Sequence, residues 1–196
     1  MTIAKINSVG KILRASLLLG LATFAAPQTS TAGFPDLFAD APIVQSVRKS
    51  SVEDTKAALL DGASANSTAA DGTPVLVLAV NARNLEIVKM LIENGARTDV
   101  KSKDETTALT LASANGEFEI VAYLLEHKAD VNLPGSLRET ALIKATRARH
   151  NLIVKLLVEN GADLEETDTA GATAVEIAER AGWNDTITLL KKAGSK

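Results

Sequence analysis

Residues 107–132 read TALTLASANGEFEIVAYLLEHKADVN, two apolar stretches at helical spacing divided by Asn115-Gly116. Ala108, Leu109 and Ala112 share one face of the first stretch, and Ile120, Val121, Leu124 and Leu125 share one face of the second. This pattern predicts a helix, a tight turn, a second helix and a short extended tail. The phrase then recurs. Gly62, Gly95, Lys128, Gly161 and Gly194 stand 33 residues apart, as do Ala79, Ala112, Ala145 and Ala178, and Leu91, Leu124, Leu157 and Leu190. One period therefore accounts for the chain from residue 38 onward, in units 38–70, 71–103, 104–136, 137–169 and a truncated 170–196.

A single helix pair cannot bury its own apolar stripe, whereas stacking covers it between neighbours. The expected core is Ile43, Leu76, Leu109, Leu142 and Val175 on the first helices, with Val88, Val121, Val154 and Ile187 on the second. Small alanines at 79, 112 and 145 let the first helices approach closely. The terminal units depart from the pattern. Asp54 and Thr55 take slots held by Ile87 and Val88, and Lys191 takes that of Ile92, as expected for caps with a solvent-facing side.

The segments DGTPVLVLA, TTALTLASANGEFEIVAYLLEHKADVN and ETALIKATRARHNLIVKLLVENGADLE resemble the ankyrin repeat over most of each unit. The 34-residue tetratricopeptide unit has a different period and lacks the Gly-Ala-Asp phrase. The resemblance covers 38–196 and implies an all-α solenoid of about five helix-turn-helix units joined by short loops or hairpins. It also implies a concave face, built from loop tips and first helices, that binds another protein without catalysis. Family positions transferred onto this chain are Thr73, Lys103, Glu105, Thr106, Arg138, Glu139 and Thr169 at the tips and Arg83, Asn84, Glu117, Arg149, His150 and Trp183 at the helix ends. Leu78, Leu111, Lys144 and Ile177 fall in the groove. Trp183 is the leading anchor candidate, because tryptophan is enriched among interface hot spots. Lys144, Arg147 and Arg149 make one unit locally basic, which points to an acidic feature on the partner. The alternative for Lys144 is a stem lying over apolar neighbours, with its charge reaching Glu176 or Glu179.

The first 32 residues are different in kind. Lys5, Lys11 and Arg14 precede the run ASLLLGLATFAA and a small-residue exit, the three-part pattern of a secretory signal peptide. The run is shorter than the roughly 20 residues of a spanning helix. Cleavage is expected after Ala32, with Ala26 as the alternative, giving a periplasmic or secreted product with no membrane segment. Residues 33–37 then form an N-terminal lid segment, with Phe34 and the neighbouring Phe38 packed on the first unit.

Cleavage would leave 18 basic and 24 acidic residues, a net charge of −6. With one tryptophan and one tyrosine, such a chain lacks the positive charge and stacking platforms of a nucleic-acid binder. There is no cysteine, and His127 and His150 have no metal-ligand spacing around them. No catalytic residue, cofactor or metal is therefore called for, and a monomer is expected. An accessory that protects or assists an exported enzyme in stress defence is the nearest alternative; a small-molecule binder or enzyme would need a deep pocket with converging polar groups.

Lys128 is the odd letter in its series. Glycine in that slot lets the chain leave the second helix with positive φ. A lysine keeping the same turn must adopt the left-handed conformation.

Overall fold

The computed structural model describes residues 40–194, and the signal-peptide and lid assignments lie outside them. Ten α-helices follow in five pairs. The first helices of the pairs, the inner row, are α1 (Pro42–Arg48), α3 (Val75–Asn81), α5 (Ala108–Asn115), α7 (Ala141–Arg147) and α9 (Ala174–Ala181). The outer row comprises α2 (Val52–Leu60), α4 (Leu85–Glu93), α6 (Phe118–Glu126), α8 (Asn151–Glu159) and α10 (Asn184–Gly194). Each inner helix packs on the next inner helix, each outer helix on the next outer one, and the two helices of a pair on each other. Among the described residues the only β pairing is two isolated bridges, Thr68 with Pro74 and Thr167 with Thr173, at the loop tips.

Local chemistry sets the helix starts. Thr107, Thr140 and Thr173 cap α5, α7 and α9, each hydroxyl accepting from the backbone N–H three residues on. That satisfies one of the donors a helix N-terminus leaves free. Pro42 at the start of α1 needs no such partner for its own nitrogen.

The core runs through all the units. Ile43, Leu76, Leu109, Leu142, Val88, Val121 and Val154 are buried, and Ala79, Ala112 and Ala145 are fully so, permitting close approach of the inner helices. Val175 and Ile187, expected in the core, are only half-buried: their unit has a neighbour on one side alone. Thr55, expected to face solvent at the first cap, is fully buried instead. Its hydroxyl donates to the Ser51 carbonyl at 2.7 Å and to Ser46 Oγ at 3.2 Å, which allows a polar group to occupy a core slot.

Positive φ recurs with the repeat. Ser50, Arg83, Gly116, Arg149 and Gly182 turn the chain between the paired helices; Gly62, Gly95, Lys128 and Gly161 end the outer helices; Gly72, Glu105, Arg138 and Gly171 turn the tips. Lys128 has φ 65°, the conformation its register demands. Among the described residues only Leu137, at φ 58°, lies off the three series.

A second departure accompanies Lys128. Asn66 Oδ1 accepts from the Arg97 N–H at 2.9 Å while its amide donates to the Gly95 carbonyl at 2.9 Å. Asn132 repeats this two intervals further on, with Asp163 at 2.8 Å and Gly161 at 3.3 Å. The intervening residue is Asp99. It accepts from the Asp130 N–H at 3.0 Å but carries no donor for the Lys128 carbonyl.

Candidate protein-docking surface

The helix-end residues nominated from sequence form a ladder between units. In each rung a residue at the start of an outer helix touches the left-handed turn residue of the preceding unit. Asn84 donates to Ser50 Oγ at 2.8 Å, and Glu117 meets Arg83 Nε at 3.1 Å. His150 lies on bare Gly116, where an added Cβ would fall 2.7 Å from the imidazole. Its Nε2 donates to the Ala114 carbonyl at 3.2 Å, which fixes the tautomer. In the last rung Arg149 stands over the Trp183 ring, 5.5 Å from its centroid. The structure thus joins Arg83 to Glu117 and Arg149 to Trp183. Trp183 is half-buried, with part of its ring packed on the core.

At the tips an acid organises each turn, but not from a constant slot. Asp71 Oδ1 accepts from the Thr73 N–H at 2.8 Å, and Asp104 accepts from the hydroxyls of Ser102 and Thr106. The Thr73 hydroxyl and then its backbone N–H lower the Asp71 carboxyl below the ordinary 3.8, and the Ser102 and Thr106 hydroxyls do the same for Asp104. The next unit has Leu137 in that slot, and the acid moves to Glu139.

Glu139, expected on the tip surface, is buried. Lys144 Nζ reaches it at 2.5 Å and Arg147 Nε at 2.6 Å, while Arg147 Nη2 meets Asp168 at 2.5 Å. Lys144 therefore pairs with Glu139, not with Glu176 or Glu179. Asp168 also accepts from the backbone N–H groups of Ala170 and Ala172. Those bonds, led by the one from Ala172 and aided by Arg147, hold its carboxyl below the ordinary value against the effect of burial. This chain of four residues ties two consecutive tips together. Sequence could not place Glu139 inside, because its slot holds Thr73 and Thr106 elsewhere and its cationic partners come from the following helix.

Two shallow clefts open along the inner row. One, of about 350 Å³, brings Leu78 and Leu111 together with Arg48, Asp71, Thr73 and Thr106. The other, of about 340 Å³, is lined by Arg147, Asp168, Ala170, Ile177, Arg180, Ala181 and Trp183. Ile177, nominated for the groove surface, is largely buried and contributes only the cleft floor. Lys103 is exposed, its stem lying over Gly72, and Arg138 is exposed at its own tip. Arg180 and Leu137 went unnominated. The signal for Leu137 was present, since an apolar residue replaces the aspartate of two preceding tips.

On the outer row Tyr123 donates to Glu93 at 3.4 Å, stacks on His127 with centroids 4.1 Å apart, and has Lys89 over its ring. Burial, then the charge of Glu93, raises its phenol above the ordinary 10.0. No group of metal-ligating side chains gathers among the described residues, and no helix there is long and apolar enough to cross a membrane.

Helix pairs at a 33-residue interval, inner helices capped by threonine and consecutive units stapled through their turns define a helical repeat solenoid. Two family descriptions match it: ankyrin repeats (3 copies) over residues 44–135 and ankyrin repeats (many copies) over residues 124–178. The chain belongs to the ankyrin-repeat family, whose arrays are protein–protein interaction modules. No curated protein matches the chain in sequence.

Proposed function

We propose that this protein is exported and binds another protein along its inner row, by recognition without catalysis. The observation that carries the reading is the composition of that row. Half-buried Leu78, Leu111 and Trp183 offer apolar area inside clefts rimmed by charged side chains, the arrangement of a buried anchor within a polar rim. A fold does not name its ligand, so the partner must be reached through these residues.

The test is quantitative affinity capture from the extracellular or periplasmic fraction. Alanine at Leu111, Arg149 or Trp183 should weaken capture of a partner at least tenfold, since a few anchors dominate interface energy. Alanine at Glu86 or Glu119, exposed on the outer helices, should leave it unchanged. Equal losses from both sets would refute the assignment. Export rests on the charged start, short apolar run and small-residue exit of residues 1–32. Mass spectrometry of the exported chain should find it beginning at residue 33 or 27, and an intact Met1 on a cytoplasmic product would refute export.

A further inference from the structure

The charges of the inner row are not distributed evenly. Toward the N-terminal end Arg48, Arg83 and Lys101 are matched by acids: Arg48 by Asp40 and Asp71 at 3.1 Å, Arg83 by Glu117 at 3.1 Å, and Lys101 by Glu105 at 3.0 Å. In the last two units the balance between inside and outside changes. Glu139 and Asp168 are almost wholly covered, with side-chain exposures of 6% and 3%, whereas Arg147 above them is 46% exposed. Arg147 spends Nε on Glu139 and Nη2 on Asp168, which leaves its Nη1 amine for another acceptor.

The other acids nearby are also committed. Glu176 accepts from the Thr173 backbone N–H at 3.1 Å, and Glu179 is held by Lys191 at 2.7 Å. Arg180, 68% exposed, has only a 4.0 Å approach to Glu176. Arg149 is exposed and has no carboxylate within ion-pair range, its one recorded contact being the Trp183 ring. Glu139 and Asp168 therefore lie beneath this surface, Glu176 and Glu179 stay about half exposed but engaged, and the guanidiniums of Arg147, Arg149 and Arg180 reach its outer layer.

Arg147 and Arg180 flank a cleft whose remaining lining is apolar apart from Asp168, which Arg147 holds, and Arg149 stands beside it over Trp183. The Trp183 ring, Ile177, Ala170 and Ala181 line the cleft of about 340 Å³ between Arg147 and Arg180. Stacking of Arg149 on Trp183 orients the indole as one wall while leaving the guanidinium edge donors free. Arginine is suited to carboxylates because its planar fork can deliver two parallel hydrogen bonds. Resting on the docking reading above, we infer that this cleft, at the C-terminal end of the inner row, takes an acidic segment of the partner protein. One apolar side chain of that segment packs on Trp183 and Ile177, and flanking carboxylates meet Arg147, Arg149 and Arg180.

Trp183 is the chain's one tryptophan, so its fluorescence reports the site directly. The probes are synthetic nonapeptides whose central residue is phenylalanine, leucine or serine, flanked by glutamates or by lysines, with a short RNA as a generic polyanion. Fluorescence titration is paired with anisotropy of the labelled peptide. Glutamate-flanked peptides with a central phenylalanine or leucine should bind saturably and at least tenfold tighter than lysine-flanked or serine-centred ones, and should weaken with added salt. The variant Arg149→Ala/Arg180→Ala should lose that preference, with Lys56→Ala/Lys155→Ala, at exposed cations of the outer helices, unaffected and both folded by circular dichroism. No saturable acidic binding, equal binding of the serine peptide or RNA, or loss in the Lys56/Lys155 variant would overturn the inference. If these peptides fail while partner capture still depends on Leu111, the acidic assignment falls and inner-row docking stands. If neither inner-row substitution affects capture, docking itself falls.

Discussion

Replacing Lys128 by glycine isolates one energetic quantity, the cost of holding a residue with a Cβ at φ 65°. The sister sites make the comparison clean. A Cβ added at Gly62, Gly95 or Gly161 would have nothing within 4 Å, so the slot has room for a side chain and only backbone conformation opposes one. The left-handed conformation costs an L-residue roughly 1–2 kcal/mol. Glycine avoids that but loses more freedom on folding, an offset of about 0.4–1 kcal/mol. Lys128→Gly should therefore stabilise by a few tenths to about 1 kcal/mol, and Gly161→Lys should destabilise by a similar amount. Urea unfolding is the assay, with an unchanged m-value showing that the unfolded state and cooperativity are comparable. At about 2–4 °C per kcal/mol for a chain of this size, thermal midpoints should move by one to three degrees in opposite directions. A lowered midpoint for Lys128→Gly, or an unchanged one for Gly161→Lys, would refute the argument from φ.

Three further outcomes follow from particular contacts. Gly116→Ala should cost more than the conformational 1–2 kcal/mol alone, because its Cβ would fall against His150; His150→Ala should remove the steric part, visible as non-additivity in a double-mutant cycle. Thr146 Oγ1 is buried with no hydrogen-bond partner, so Thr146→Val, which keeps the shape and removes the hydroxyl, should leave stability unchanged or raise it by about 1 kcal/mol in chemical denaturation. The folded-state carboxyl of Asp168 lies below its ordinary 3.8, so its stabilisation is complete above that value and is lost as pH falls through the depressed value; Asp168→Asn should flatten the acid limb of a stability–pH curve and leave its slope near neutrality unchanged.

The period made most of the fold legible before any coordinates. Repeated alanines and leucines mark helices that face neighbours, and a glycine series marks a turn whose handedness then applies even to Lys128. What the repeat could not reveal were interactions in which a residue departs from its series and is answered from another element. Glu139 is buried because Lys144 and Arg147 reach back to it, and Thr55 because Ser46 and Ser51 accept its proton. The half-burial of Val175 and Ile187 has a different origin: the pattern is intact, but among the described residues no further helix pair packs on that side of the last one. The nominated helix-end residues lie at the turns between paired helices, and sequence held no sign that Arg83 with Glu117 and Arg149 with Trp183 would contact each other.

Those departures are concentrated. Of the seven non-glycine residues with positive φ among the described residues, Glu105, Lys128, Leu137, Arg138 and Arg149 fall between residues 105 and 149. The same stretch contains Lys128, whose carbonyl lacks an amide donor because Asp99 stands in the asparagine slot, and the relocated tip acid at Glu139. Each left-handed residue sacrifices stability that a glycine would have kept, and side chains so held are Leu137, 65% exposed, the exposed acid Glu105 and the cations Lys128, Arg138 and Arg149. A uniform array would have no reason to carry this strain in its middle, where both neighbours are present to enforce the standard turn. Strain of this kind persists only where surrounding structure over-determines it, and such positions cluster at binding sites. The stacking that buries Leu109, Leu124, Leu142 and Leu157 supplies that determination here, so that exposed turn positions can be given to charged and apolar side chains available to a partner.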